Sequence, residues 1–363
     1  MISKVSIKNL KALKDITLST SPLNIFTGLN GMGKSTVMQS LLLFRQSRNT
    51  EGKELKLHDS ILQLGSFEEV FCEAAEDEKL KIQIEWSNKD SLQFEAKYVT
   101  SLKDEKIIKN SINSSLPVHQ SLFKDSGFVY LSSDRIVPAD SYDTNDSLIK
   151  NHQLGISGEF APHFYQNNKN IQIPIKELSF DGDDEASTLE VQVNKWLSII
   201  SPGVKVHTEE QNGLIVLKYS YVTQEEETSK FRAKNAGFGL TYVFSVLVAL
   251  LSANKGDLVI IENPEANIHP KGQTQLARLM ALAAKNGVQI FVETHSDHII
   301  YGTRIAIKER NIDKEEVRIY YLGRDKKEHF SKAYWIEIDE YGRIEREVRE
   351  YFDEFESHLN RLM

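Results

Sequence analysis

The run GLNGMGKST, from Gly28 to Thr36, constrains this chain more than any other segment. It fits the pattern G-x-x-x-x-G-K-[ST], with Gly28, Gly33, Lys34 and Ser35 at the required positions. An apolar stretch, LNIFTG, leads into it, and a helical one, VMQSLLLFRQ, leads out. Glycines let backbone N–H groups turn inward and close on phosphate oxygens with no Cβ in the way. A helix starting near Lys34 aims the positive end of its dipole at the same oxygens. Lys34 adds a point charge suited to β- and γ-phosphates, and the Ser35 hydroxyl suits Mg2+. Asn30, Gly31, Gly33, Lys34, Ser35 and Thr36 form the candidate phosphate-binding set. A merely flexible glycine-rich turn would not need strand, loop and helix in this order.

Bulk properties narrow the remaining classes. At 363 residues, 40% hydrophobic and 26% charged, the chain can build two or three subdomains and is not a disordered polymer. Its net charge of -8 gives no global pull toward nucleic acid or anionic membrane. The single cysteine, Cys72, excludes an internal disulfide and fits a reducing cytoplasm. The start, MISKVSIKNLKALKD, has no apolar signal core. The apolar run at 243–251 falls short of the roughly 20 residues of a membrane helix. A soluble, cytoplasmic protein is expected.

Hydrophobic periodicity divides the chain further. Residues 3–8, 15–19 and 23–27 read as strands and 35–47 as a helix. Residues 61–71 read as a loop entering a strand; 79–87 and 92–99 flank NKDS as a hairpin. The stretch 100–127 reads as polar surface, and FVYLSSDR (128–135) as a buried strand ending in charge. Residues 138–188 look loop-rich, and their acidic run DGDDE lacks the EF-hand ligand pattern, so it reads as a solvated loop. A helix over 188–200 and a second hairpin follow. After Asn235 the pattern becomes α/β: a long apolar helix, strands at 257–262, 288–294 and 317–324, and helices between them. The domain reading is 1–135, the first part of a nucleotide-binding head; 136–230, an inserted region; 231–330, the rest of the head; and 331–363, a short extension with a strand pair and a final helix.

Three further motifs complete a nucleotide site. LVIIENPEANIHP (258–270) ends an apolar strand in Glu262, with Glu265 close behind, and supplies the carboxylate that a phosphate loop needs for its Mg2+ shell. The next apolar strand ends in Thr294 and His295, where open α/β sheets place ligands. NAGFGL (235–240) puts Gly237 and Gly239 at a helix start, open to anion contact.

At these residues the chain resembles the ABC-type ATPase heads of the SMC, RecF and OLD group. The opening KVSIKNLKALKDITLSTSPLNIFTGLNGMGKST carries the likeness. So do LGSFEEVF, YLSSDRIVP, NAGFGLTYVFSVLVALL, IIENPEANIHPKGQ and ETHSDHII, which resemble a bacterial AAA-labelled family with a short carboxy-terminal domain of unknown function. The implied fold is α/β: a P-loop NTPase of ABC head type, with a β-rich N-terminal lobe and a parallel-sheet C-terminal lobe. The resemblance implies ATP and Mg2+ as cofactors. Lys34, Ser35 and Thr36 would bind phosphates and Mg2+, and Glu262 would be the magnesium-shell acid. Ala266 to His269 would form the loop facing a second protomer, and His295 the switch histidine. Gly237 to Gly239 would replace the ABC signature and meet the γ-phosphate of the opposite subunit, giving an ATP-sandwich homodimer.

One departure bears on chemistry. ABC heads usually place Asp then Glu where this chain has Glu262 then Asn263. An amide can hydrogen-bond water but cannot accept its proton. Either Glu265 or a group of the other protomer takes the role, or hydrolysis is slow and ATP acts as a dimerisation clamp. The Pro264–Glu265 pair, shared with OLD-like sequences, favours slow but real turnover. The segment between the half-sites lacks heptads, which excludes a long coiled coil. With roughly one hundred residues after Glu262, no OLD-type nuclease domain is expected.

Relatives of this kind serve DNA repair or phage-defence modules, sometimes beside a nuclease. A separately encoded effector or nuclease is therefore the expected partner, besides a second copy of the chain, and no membrane is expected. DNA is a further candidate, through Lys4, Lys8, Lys11 and Lys14 or through Lys103, Lys106 and Lys109. A non-catalytic ATP-dependent scaffold is the alternative function. A transporter subunit is disfavoured by the lead-in, and GTP by the lack of an Asn-Lys-x-Asp motif.

Overall fold

The computed structural model describes residues 1–50, 55–100, 106–112, 117–180, 187–224, 226–324 and 328–345. The chain forms two compact units. The first holds Met1–Phe123, Val317–Asp339 and the described residues from Arg343 on; the second holds Lys124–Glu316 and Glu340–Gly342.

The first unit begins with β1 (Ile2–Leu10) and β2 (Leu13–Ser19), an antiparallel pair with Ile7 opposite Ile16. Alternation is clean: Val5 and Ile7 are fully buried, while Lys4, Ser6 and Lys8 are on the wetter face. β3 (Leu23–Thr27) is buried throughout and feeds α1 (Lys34–Gln46). A short helix, α2 (Phe67–Val70), follows where strand entry is expected from the sequence. Its cause is local: the Ser66 side chain accepts from the Glu69 N–H, and the Glu69 carboxylate accepts from the Ser66 N–H. β4 (Lys79–Trp86), β5 (Ser91–Thr100) and β6 (Lys106–Ile112) complete an antiparallel sheet ordered β2-β1-β4-β5-β6. The expected hairpin is present, with Trp86 N–H bonded to Asp90 O. β6 is a strand within the stretch expected to be polar surface; its pairing with β5 satisfies a backbone whose polar side chains hide the pattern.

The second unit starts with β7 (Phe128–Leu131) and adds α3 (Asp146–Lys150), α4 (Ala161–Asn168) and α5 (Leu189–Ile200). Two of these helices lie in the region expected to be loop-rich; Asn145 caps α3 through its side chain, and Pro162 occupies the first turn of α4. A hairpin of β8 (Val204–Gln211) and β9 (Leu214–Tyr221) takes β10 (Phe231–Arg232) at its edge. Then come α6 (Phe238–Leu251), β11 (Leu258–Glu262), α7 (Pro270–Lys285), β12 (Gln289–Glu293) and α8 (Asp297–Lys308). β11 runs parallel to both β7 and β12, with Ile260 between Tyr130 and Phe291. All five residues of β11 and of β12 are buried, as strands covered on both faces must be.

The chain returns to the first unit with β13 (Val317–Arg324), parallel to β3, and β14 (Ser331–Ile336), antiparallel to β13. The α/β class, the β-rich first part and the parallel strands of the later part are as expected. Among the described residues no long coiled coil occurs. The acidic run 181–185, Lys103 and the expected final helix lie outside the described residues.

Candidate functional site

The phosphate loop belongs to the first unit. Gly28 leaves β3 at φ +134, and a Cβ there would sit 2.1 Å from the Leu322 carbonyl oxygen of β13. Conformation and space both demand glycine at this point. Gly33 is the N-cap of α1 at φ +90, with no side-chain cap on the helix. The first N–H groups of α1 therefore open toward the loop, where an anion is favoured. Lys34 is 3% exposed, and its ammonium donates to Gly28 O at 2.8 Å and Leu29 O at 2.9 Å. The charge is thus folded back across the loop. Thr36 is buried, Ser35 half-buried, and Asn30 and Gly31 exposed. Behind the loop, Ser331 of β14 reaches Met32, and its N–H bonds Ala12 O.

The acidic cluster belongs to the second unit. Glu262 ends β11 at 8% exposure. Its Oε1 accepts from the Tyr130 hydroxyl at 3.0 Å and its Oε2 from the Ser133 N–H at 3.1 Å. Burial and the Glu262 carboxylate push the Tyr130 phenol strongly up, so it stays a proton donor. Arg135 donates to the carbonyl oxygens of Glu262 and Asn263. Burial lowers this guanidinium to about 10, against the opposing pull of Glu265 and Glu262, so it remains charged at neutral pH. Asn263 turns out of the strand at φ +46, its N–H still paired with Glu293 O at 2.8 Å. Glu265 Oε1 accepts from the His295 N–H at 2.8 Å. The Asn263 Oδ1 and Glu265 Oε2 atoms are buried without a hydrogen-bond partner among the described residues.

The structure therefore brings Glu262, Asn263, Glu265 and His295 into one cluster. The His295 side chain is exposed beside the Ser296 N-cap of α8. Gly237 is the N-cap of α6, with open space where a Cβ would be, whereas a Cβ on Gly239 would meet Asn267 O at 2.1 Å. Gly239 thus has a packing reason: the turn after β11 rests on the first turn of α6. Tyr130, Ser133 and Arg135 escaped the sequence reading as site residues; the available signal was an apolar strand, FVYL, ending in SSDR.

The glutamines and lysines separate by role. Gln46 is a structural clamp, donating to Lys56 O and accepting from the Leu62 N–H, and Gln153 donates to Asp125 O. Gln63, by contrast, has an exposed side chain. Lys4 pairs with Glu85, Lys8 with Asp77 and Lys14 with Glu76, and Lys11 donates to Gln39. Lys4, Lys8 and Lys14 are thus neutralised locally, whereas Lys11 is held by a neutral amide. The side chains of Lys106 and Lys109 lie outside the described residues.

In the first unit the glycine-lined loop, buried lysine, uncapped helix start and half-buried serine hydroxyl suit the phosphates of a nucleotide; in the second, a hydrogen-bonded carboxylate ending a strand is the residue type that a Mg2+ shell takes. Among the described residues no group of three or more His, Cys, Asp or Glu could hold a metal by itself.

No curated protein matches the sequence. Among solved structures, the chain is similar to an SMC head bound to the C-winged helix domain of ScpA, with TM-score 0.58 and 12% identity over 93% of this chain and 98% of that one. It is also similar to an SMC head domain with an extended coiled coil bound to the C-terminal domain of ScpA, derived from Pyrococcus furiosus, with TM-score 0.56 and 13% identity over 99% of both chains. At such identities the likeness shows the fold alone, that of an SMC head domain. Residues 312–362 match a family described as a protein of unknown function, DUF3696. Residues 23–301, well over half the chain, match the family described as "AAA domain, putative AbiEii toxin, Type IV TA system", and the chain belongs to that family.

Proposed function

We propose that this chain binds and slowly hydrolyses ATP with Mg2+, and that nucleotide-dependent pairing of two copies acts as a switch on a separate effector in a defence or repair module. The observation that carries the reading is the Lys34 ammonium held by two loop carbonyls beside the uncapped start of α1. On phosphate binding this ammonium exchanges carbonyl partners for charged oxygens. Gly31, Gly33, Lys34, Ser35 and Thr36 hold the phosphates, with Asn30 at the loop's exposed tip; Ser35 and Glu262 serve the metal. Mg2+ held there would supply charge neutralisation at the phosphates.

Glu265 is the proposed base. Its Oε1 is fixed by the His295 N–H, and its Oε2, like Asn263 Oδ1, has no partner among the described residues. An amide that orients water and a carboxylate that takes its proton divide the work that one acid performs in relatives. His295 would sense the γ-phosphate, and Gly237 and Gly239 would face the nucleotide of the second copy. The family name, with its toxin and type IV toxin–antitoxin wording, favours a defence setting, and the solved heads with bound ScpA favour a protein partner. The locally paired lysines make a protein effector the better reading than DNA.

The test is steady-state ATP turnover, with and without duplex DNA, against Lys34→Ala. Turnover abolished in the variant supports the ATPase. ATP binding without turnover would instead favour the second reading, a nucleotide-dependent scaffold, for which Asn263 is the specific observation.

A further inference from the structure

Arg135 is 3% exposed, yet among the described residues its charge forms no direct ion pair: it donates to the carbonyls of Glu262 and Asn263. These are consecutive carbonyls at the point where β11 ends. A buried guanidinium is costly unless its donors are used, so its place here needs a reason. The backbone supplies one. Asn263 enters the left-handed region, which asparagine tolerates better than other residues with a Cβ. The turn then closes on itself, with Ala266 N–H to Asn263 O and Ile268 N–H to Glu265 O. The turn's start also meets β12, through Asn263 N–H to Glu293 O. Arg135 thus grips the backbone from which both Asn263 and Glu265 project.

We infer that Arg135 is a positioning residue for the hydrolytic step: by holding the Glu262 and Asn263 carbonyls it fixes the turn that aims Asn263 and Glu265, and it takes no part in nucleotide binding. The inference rests on the ATPase reading above. Both bonds leave one terminal nitrogen, Nη2, so a shorter cation at this position can reproduce them in part.

The experiment uses the full chain with Arg135→Gln and Arg135→Lys, and reads kcat, KM, ATP affinity with a fluorescent nucleotide, and amide hydrogen exchange. Expected for Arg135→Gln is a kcat about tenfold or more lower, with KM and ATP affinity unchanged. Exchange should be faster at residues 263–268 and unaltered in α1. Arg135→Lys should restore part of kcat. An unchanged kcat, or ATP affinity falling in parallel with kcat, would overturn the inference. If the wild-type chain binds ATP without turning it over, the ATPase reading fails by itself. Exchange then still decides on Arg135, because unaltered protection at 263–268 in Arg135→Gln would show that it does not hold the turn.

Discussion

The His295 N–H donates to Glu265 Oε1 at 2.8 Å, joining the turn that leaves β11 to the end of β12. Two strand ends, thirty residues apart, are thereby locked into one surface. If Glu265 is the base, removing its charge while keeping this hydrogen bond isolates the chemistry. Glu265→Gln should lower turnover by about 100-fold or more while ATP affinity stays near wild type. Single-turnover kinetics with a binding titration check this, and unchanged turnover would remove Glu265 from the mechanism.

Lys34 should matter for binding and for chemistry together, because its ammonium already lies within the loop. Lys34→Ala should weaken ATP binding at least tenfold and abolish turnover. The fold should persist, since the lost partners are loop carbonyls that water can reach once the side chain is gone. Thermal melting with and without ATP separates the two effects: wild type should gain stability on adding nucleotide and the variant should not.

Gly28→Ala should destabilise the first unit by about 2 kcal/mol or more, because φ +134 disfavours a Cβ and the Leu322 carbonyl occupies its place. Gly31→Ala has open space and bears strain only from φ +75, so it should cost less. Urea midpoints of the two variants give the comparison, and equal midpoints would contradict the Gly28–Leu322 clash.

His152 gives a pH dependence. Burial holds its imidazole below the ordinary value of 6.5, and its ring meets Phe164 edge-on at 4.8 Å. The unfolded chain therefore takes up the proton first. Stability from this group is complete above about pH 6.5 and falls as pH drops below it toward the depressed folded value. His207, also lowered chiefly by burial, acts in the same direction. His152→Asn, which tolerates φ +57, should flatten the decline measured by denaturant titration between pH 7 and 5. An identical slope in the variant would show that His152 is not its source.

Duplex DNA should bind weakly and with little salt dependence, since Lys4, Lys8 and Lys14 each hold an acid. A log–log salt slope steeper than about −4 would mean several phosphate contacts and would return DNA to the list of partners.

Much of this was legible in the residues because the governing interactions are local. β3, the glycine loop and α1 follow one another, so pattern and propensity agree over 23–46. The buried strands β11 and β12 are runs of Val, Ile and Phe, which periodicity reads directly. α2 was missed although Ser66 and Glu69 have capping-box spacing, because the apolar ends of FEEVF look like a strand. β6 was missed because polar side chains conceal a backbone whose only requirement is a partner.

The phosphate loop, the strand-end carboxylate and the class of fold are legible without coordinates, since each depends on residues close in the chain. What holds Glu262 and Asn263 is visible in three dimensions alone. Tyr130, Ser133 and Arg135 lie some 130 residues earlier, and the parallel register of β7 on β11 brings them there. Likewise, nothing near Gly28 in the chain discloses that Leu322 O excludes a side chain. Hydrogen-bond partners and close approaches follow from strand order and register, which are set by burial of the whole core and leave no periodic trace at the residues they join.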